Sequence, residues 1–320
     1  ADTAAAYACP MSFDFDAAVS APFRMQPGLR RLAAGAPQLT PLGPGSRHLR
    51  EKLAVLSAFA DQALVARPGF DPQPALQALC RHAAAEHPRH FQWQDGAIAV
   101  PALGVRLHGD TVLAASEDRF STAQEVARCI AQQPAAWRLP ALLALAFAED
   151  LAIVDAMPAS VPWMAVALPS HWAPEHKVGL GFAQLHAPVA DGERVRQAGE
   201  ALLRLVTGPE RWERFVWTVT DHPRLHAHPR RVASDRWAGG LDRAWFRSER
   251  QTFIPVAGQR QAIFTIAVDV RPLADVVDTP ERAQRLAEAL ASMSPAVLDY
   301  RGLRPVRDAL LAWLARVHRQ

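Results

Sequence analysis

The sequence has few of the residues that metal clusters and disulfide frameworks require. Its 320 residues include only 3 Cys and 2 Tyr. Cys9, Cys80 and Cys129 lie far apart, and no Cys-x-x-Cys pair occurs. A structural zinc site or an iron–sulfur cluster bound by this chain alone is therefore not expected, because both use closely paired thiolates. An odd number of widely spaced cysteines indicates a reducing compartment, and we predict a cytoplasmic location.

Long apolar runs and an excess of one charge are also absent. No run reaches the roughly 18 residues that span a bilayer, and residues 1–11 lack the basic and apolar regions of a signal peptide. Lys and Arg number 35 against 32 Asp and Glu, a formal net charge of +3. We therefore predict neither a membrane nor a nucleic acid as partner. With 50% hydrophobic and 21% charged residues, the composition is typical of a globular chain.

Standard catalytic motifs are missing as well. The sequence has no phosphate-binding glycine loop, no dinucleotide fingerprint, no His-Glu-x-x-His and no Gly-x-Ser-x-Gly. A self-contained NAD(P)H oxidase is therefore not expected, and any redox chemistry would need an external electron donor. Histidine, with 12 residues, is the residue type most able to carry chemistry here.

The order of local patterns predicts an α+β fold. Proline and glycine are frequent in residues 1–45, which we predict to be an extended arm; residues 46–320 would form a single composite domain. Helical spacing follows from Arg47 to Ala66, Pro140 would begin a helix that runs through Asp150, and further helices are predicted near the carboxyl terminus. Strand patterns then dominate, with a hairpin around Gly258. We expect one antiparallel sheet from about residue 96 to residue 270, flanked by helices from both chain ends.

Two groups of histidines are candidates for metal or heme ligands. His222, His226 and His228 lie in an Arg- and Pro-rich stretch, which predicts a solvated loop. The segment 168–189 is different, because it places His171, His176 and His186 after an apolar strand. His186 is flanked by Leu185 and Ala187, so it is either a structural histidine or a neutral imidazole that binds a metal or heme iron.

Five polar residues, Ser248 to Thr252, interrupt a hydrophobic strand. Alternation predicts that Glu249 and Gln251 share one face and that Arg250 and Thr252 share the other. A charge on a buried face must have a partner. The partner is either an oppositely charged group of a ligand or an oppositely charged side chain of the protein, which would form a structural ion pair.

Several motifs in order resemble one known family. They are Ala148-Glu149-Asp150-Leu151, Leu168-Pro169-Ser170-x-Trp172-x-Pro174-x-x-Lys177-x-Gly179, His186-x-Pro188-Val189, Arg214-x-x-Trp217 and Glu249-Arg250-Gln251-Thr252-Phe253. Together they resemble the heme-dependent oxidative N-demethylase α-subunit-like proteins over roughly residues 20 to 275. The resemblance implies a PAS-like α+β fold with an antiparallel sheet and bound heme b. It also implies O₂ chemistry on dimethylamine, with electrons from flavin and iron–sulfur components on other subunits.

Within this resemblance we assign candidate roles to particular residues. His186 is the predicted iron ligand, with His171 and His176 next. Arg250 is a candidate to pair a heme propionate, since its planar fork suits a carboxylate, and Lys177 would add a second positive charge. Trp172 and Trp217 are candidates for the pocket wall, with a core role as the alternative for each. No catalytic residue is assigned.

The expected function is a heme-dependent oxidase that removes a methyl group from a small amine. It would use O₂ and electrons from a flavin or iron–sulfur reductase partner. The alternative is a heme-binding PAS-like sensor or carrier without turnover, and a third interpretation is a scaffold without heme. Because one fold can serve several of these functions, the choice depends on the site.

Overall fold

A computed structural model describes residues 13–24, 28–181, 184, 199–233, 236–238 and 240–317. Mixed helices and antiparallel strands confirm the predicted α+β class. The helices are α1 (Phe15–Ala18), α2 (Arg47–Ala58), α3 (Ala60–Ala63), α4 (Gln73–Glu86), α5 (Thr122–Ala131), α6 (Ala135–Ala146), α7 (Gly199–Val206), α8 (Leu273–Val276), α9 (Pro280–Ala291), α10 (Pro295–Tyr300) and α11 (Arg307–Val317). Short 3₁₀ turns occur at Pro101–Leu103, Pro174–His176, Leu241–Arg243 and Arg304–Val306.

The strands form two separate sheets. They are β1 (Arg30–Arg31), β2 (Leu64–Ala66), β3 (Gln92–Gln94), β4 (Ala97–Val100), β5 (Val105–His108), β6 (Thr111–Ala114), β7 (Asp150–Ala156), β8 (Ala159–Ala165), β9 (Trp212–Thr220), β10 (Trp245–Val256) and β11 (Gln261–Pro272). The larger sheet has the order β1-β9-β10-β11-β7-β8-β2, and the smaller one is β3-β4-β5-β6. The prediction of one sheet from residue 96 is therefore wrong, because β3 to β6 pair with their sequence neighbours and form a sheet of their own.

The long strands follow their sequence pattern closely. β10 and β11 pair antiparallel over their whole length around Gly258, as predicted, and Phe253 stacks on Phe264 at 4.8 Å between ring centroids. β9 pairs with the other side of β10. These three strands form the middle of the larger sheet and position the site described below.

Two helix boundaries differ from the predictions. The helix that begins at Arg47 ends at Ala58 instead of Ala66, because residues 64–66 pair with β8 as an edge strand. Pro140 lies inside α6 instead of at its first residue, and Asp150 already belongs to β7. Proline inside a helix removes one backbone hydrogen bond. The fully buried apolar residues 141–146 offset that loss by packing in the core.

Residues 28–45 pack against the larger sheet and the main hydrophobic core. Arg30 and Arg31 pair with β9, while Leu39 and Leu42 are buried in the main hydrophobic core. Ser46 caps α2, its side chain accepting a hydrogen bond from the backbone N–H of Leu49. The domain division at residue 45 stays a prediction. Of the helices in the described ranges, none has the length and apolar character needed to cross a bilayer.

Candidate functional site

One face of the β9–β10 pair carries a row of polar side chains. Across the two strands, Arg214 is opposite Gln251, Val216 is opposite Glu249, and Thr218 is opposite Arg247. Side chains that are directly opposite in an antiparallel pair share a face. We call the set Arg214, Thr218, Arg247, Glu249 and Gln251 the polar face.

Arg247 connects the polar face to the loop that follows β8. Its side chain is buried, and its Nε donates a hydrogen bond of 2.7 Å to Oγ of Ser170. Its other N–H groups donate to the backbone carbonyls of Leu168, Pro169, Arg224 and Leu225. Burial lowers the pKa of Arg247 to about 10, so the guanidinium is still charged at neutral pH. This cation therefore holds two loops against the sheet.

Glu249 is half-buried beside Arg247 and accepts hydrogen bonds from two neutral donors. The hydroxyl of Ser170 donates to Oε1, and Nε2 of Gln251 donates to Oε2 at 2.6 Å. Glu249 and Gln251 share this face and Arg250 points to the other, as the alternation predicted. Within the described ranges, no cationic group lies close enough to Glu249 to form an ion pair. The carboxylate is thus held in place by neutral groups and keeps lone pairs for another donor.

His171 and His222 form an imidazole pair at the end of the polar face. His171 follows Ser170 directly, and His222 lies two residues after the end of β9. Their ring centroids are 5.3 Å apart. His171 has a φ of 63°, a conformation that non-glycine residues seldom adopt, and its N–H donates to the carbonyl of Ala227 at 2.9 Å. Strained positions of this kind cluster at functional sites.

The ring nitrogens of this pair are buried without partners. Nε2 of His171 and both ring nitrogens of His222 have no hydrogen-bond partner among the described residues. Burial lowers the pKa of His171 to about 3 and that of His222 to about 4, and the nearby Arg236 and Arg247 act in the same direction. Both rings are therefore neutral at pH 7. An unpaired buried polar group costs about 1–3 kcal/mol, so a ligand that engages these nitrogens would offset that cost.

Arg236 adds a second cation next to the imidazole pair. Its Nε lies 3.5 Å from Oδ1 of Asp221, and its Nη1 donates to the carbonyl of Arg301 at 2.9 Å. The other carboxylate oxygen of Asp221 accepts the N–H of Trp237. Nε and Nη2 of Arg236 lack a well-aligned acceptor among the described residues. Neutral imidazoles beside cationic guanidiniums suit a ligand that combines a metal with negatively charged groups.

The described residues contain no group of three or more His, Cys, Asp or Glu side chains that could hold a metal ion. A bare metal ion bound by protein ligands alone needs such a group. Heme differs in this respect, because the porphyrin supplies four iron ligands and one protein side chain suffices. The imidazole pair with its unpartnered nitrogens fits that requirement.

Two of the predicted site residues lie on the opposite side of the sheet. Arg250 donates from Nε to Glu213 at 3.0 Å and from Nη1 to the carbonyl of Pro37 at 2.8 Å. Trp217 is buried, stacks on Phe246 at 5.7 Å, and donates from Nε1 to the carbonyl of Ala18. Arg250 thus has the structural ion pair that the sequence left as an alternative. The structure does not bring these two residues to the polar face.

The other predicted residues lie near the loop after β8 or beyond the described ranges. Trp172 is half-buried next to His171 and packs against the hydrophobic cluster under β7 and β8. Lys177 is half-buried at the end of the 3₁₀ turn Pro174–His176, and His176 is exposed. His186 lies outside the described residues. The roles assigned to these residues stay predictions.

The solvated loop predicted for His222 to His228 is wrong. His228 is 1% exposed, with Nε2 3.2 Å from Glu175, and Nδ1 of His226 bonds to the carbonyl of Ala167 at 2.6 Å. The cause is a parallel bridge between Ser170 and Ala227, which holds this segment against the loop after β8. Local composition contains no sign of such a long-range contact.

Several residues of the site have no role in the sequence analysis, among them Ser170, Arg214, His222 and Arg247. Ser170 and Arg214 belong to motifs on which the resemblance rests, so a signal was present for both. His222 follows a predicted strand by two residues, a usual place for a functional side chain. Arg247 carries no local signal, since its partners come from other parts of the chain.

One comparison with known proteins bears on the site. The family model described as Haem-dependent oxidative N-demethylase, alpha subunit-like, matches residues 46–311. This match confirms the resemblance predicted from the motifs. Three of those motifs, around Ser170, Arg214 and Glu249, meet at the polar face.

Proposed function

The chain belongs to the Haem-dependent oxidative N-demethylase, alpha subunit-like family, and we propose that it is a heme b-dependent oxidase that demethylates a small methylated amine. The reaction would use O₂ and electrons from a separate flavin or iron–sulfur reductase. The antiparallel sheet is consistent with a PAS-like domain, which is part of this proposal.

The observation that carries the proposal is the imidazole pair. His171 and His222 present three buried ring nitrogens that have no hydrogen-bond partner among the described residues. Their lowered pKa values keep them in the neutral form that binds iron. When bound, the heme would supply O₂ activation and one-electron chemistry.

The remaining residues of the polar face support binding and orientation. One imidazole of the pair would hold the iron, and the guanidinium of Arg236 would favour negatively charged heme propionates nearby. Arg247 keeps Ser170 and His171 in position through its bonds to the preceding loop. Glu249 would accept an N–H of the substrate ammonium, because its lone pairs are not all used by Ser170 and Gln251.

Heme binding is tested first, by titrating the purified full chain with hemin and recording the Soret band. We compare His171→Ala, His222→Ala and His186→Ala, because the sequence favours His186 and the structure favours the imidazole pair. His108→Ala is the control, since His108 is exposed on β5. Loss of the Soret shift in one of the three variants identifies the ligand. A wild-type protein that fails to bind hemin would overturn the proposed function.

Turnover is tested by the release of formaldehyde from dimethylamine and related methylated amines. A chemical reductant or an added reductase supplies the electrons. We expect formaldehyde only with heme, O₂ and electrons present together. Oxidation of NADPH by the isolated chain at full rate, without a reductase, would contradict the predicted partner. A heme protein that turns over none of these amines would contradict the proposed reaction.

A further inference from the structure

Arg214 differs from the other arginines of the β9–β10 pair in its hydrogen bonds to the described residues. Its Nε is buried and has no hydrogen-bond partner in the described ranges. Arg250 instead pairs with Glu213, which also accepts from Arg30 at 2.9 Å. Arg247 donates to Ser170 and to four carbonyls. Of the three arginines of the β9–β10 pair, Arg214 alone keeps a buried N–H donor for a group from outside the described residues.

The nearest carboxylate does not satisfy Arg214. Glu249 is opposite Val216, one step along the same face, and its charge acts on Arg214. In the described part of the chain, however, no hydrogen bond or ion pair joins the two side chains, and the contacts of Glu249 are those with Ser170 and Gln251. No carboxylate of the described residues lies within ion-pairing distance of Arg214. A desolvated guanidinium is costly without an anion, and its planar fork matches a carboxylate through two parallel hydrogen bonds.

We propose that Arg214 is a carboxylate-binding residue of the polar face. The adjacent Glu249 determines which ligands suit the pair, because a cation placed beside the carboxylate would satisfy Glu249 at the same time. A zwitterion with neighbouring ammonium and carboxylate groups, such as an N-methylated amino acid, satisfies both side chains. A heme propionate offers the same carboxylate without the ammonium. Either a zwitterionic substrate or the heme could therefore supply the carboxylate, and the experiments below distinguish the two.

The first possibility is that the carboxylate bound by Arg214 belongs to the substrate. It is tested by calorimetric titration of the full chain with N-methylglycine. Dimethylamine, which lacks the carboxylate, and acetate, which lacks the ammonium, are the comparison ligands. We expect N-methylglycine to bind at least tenfold more tightly than either, as one additional charged hydrogen-bonding group implies. If Arg214 binds the substrate carboxylate, Arg214→Gln should remove this preference while hemin binding is unchanged. Arg250→Gln is the matched control, because Arg250 is on the neighbouring strand and already has its partners.

The second possibility is that the carboxylate bound by Arg214 is a heme propionate. It is tested by comparing hemin with hemin dimethyl ester, whose esterified propionates carry no charge. This arm rests on the proposed function. If Arg214 binds a propionate, Arg214→Gln weakens hemin binding about tenfold or more, whereas the wild-type chain and the variant bind the ester equally. If the chain binds neither form of heme, the proposed function fails, and the N-methylglycine titration still tests Arg214.

The proposal is overturned if Arg214→Gln binds both N-methylglycine and hemin as tightly as the wild-type chain and Arg250→Gln do. It is also overturned if the wild-type chain prefers neither N-methylglycine to dimethylamine nor hemin to its ester. This second comparison needs no variant, so it holds if Arg214→Gln does not fold. Arg214→Lys, which keeps the charge and loses the fork, should lie between the wild-type chain and Arg214→Gln.

Discussion

Arg247 and Ser170 are 77 residues apart in the chain, and the hydrogen bond between Nε and Oγ measures 2.7 Å. The same Ser170 hydroxyl donates to Glu249, so one serine joins a cation and an anion of the polar face. His171 follows it directly. The position of the imidazole pair therefore depends on Arg247, although Arg247 contacts neither ring through a hydrogen bond.

We predict that Arg247→Ala destabilises the protein by about 3 kcal/mol or more, because several buried carbonyls and a serine lose a charged donor. The free energy of unfolding in urea measures this change. Arg243→Ala, at an exposed arginine, is the control and should change the free energy by less than about 0.5 kcal/mol. Equal losses for the two variants would contradict the role assigned to Arg247.

Trp217 and Trp172 are predicted to behave differently. Trp217 is buried in the core that packs against the carboxyl-terminal helices, so Trp217→Ala should cost about 3–5 kcal/mol. We expect hemin affinity to be unchanged in the folded fraction of this variant. Trp172 is only half-buried next to His171, and Trp172→Ala should have a smaller effect on stability and a larger one on hemin affinity. Unfolding curves and Soret titrations of both variants distinguish the two roles, and a reversed order would contradict them.

Local patterns predicted the fold much better than the site. The alternation from Ser248 to Thr252 in β10 and the hairpin around Gly258 depend on neighbouring residues, and the structure contains both. The split into two sheets depends instead on which strands pair. The contact between Ser170 and Glu249 spans 79 residues, and the bridge between Ser170 and Ala227 spans 57. Sequence periodicity contains no information on such contacts, so local composition alone predicts a solvated loop at His222.

Glu86 should make stability depend on pH in the acid range. Its carboxylate accepts the backbone N–H groups of Gln38 and Leu39 and lies 3.2 Å from His82 and 3.1 Å from His87. Burial alone would raise the pKa of Glu86, but these hydrogen bonds outweigh it, and the pKa lies well below its ordinary value. The stabilisation is therefore complete above about pH 4.5 and is lost as the pH falls below it.

Glu86→Gln tests this prediction through urea unfolding between pH 7 and pH 3. We expect a loss of about 2 kcal/mol at pH 7, since the backbone and imidazole donors around Glu86 lose a charged acceptor. The difference from the wild-type protein should shrink as the pH falls. Glu288→Gln, at an exposed glutamate of α9, should show neither effect. A difference that does not change with pH would mean that the carboxylate charge contributes nothing.

Gly302 and Gly258 provide a matched pair for testing the position of Arg236. Both have a positive φ, 65° at Gly302 and 75° at Gly258, so alanine at either position should cost about 1–2 kcal/mol. A Cβ at Gly258 would meet nothing within 4 Å, whereas a Cβ at Gly302 would overlap the guanidinium of Arg236.

In Gly302→Ala the guanidinium of Arg236 must shift, and we expect the shift to weaken its contacts with the carbonyl of Arg301 and with Asp221. We therefore expect Gly302→Ala to lose about 1–3 kcal/mol more than Gly258→Ala in urea unfolding. Hemin affinity should fall in Gly302→Ala alone, because Arg236 lies next to the imidazole pair and Gly258 is in a distant hairpin turn. Equal stability and equal hemin affinity in the two variants would show that Arg236 does not contribute to the site.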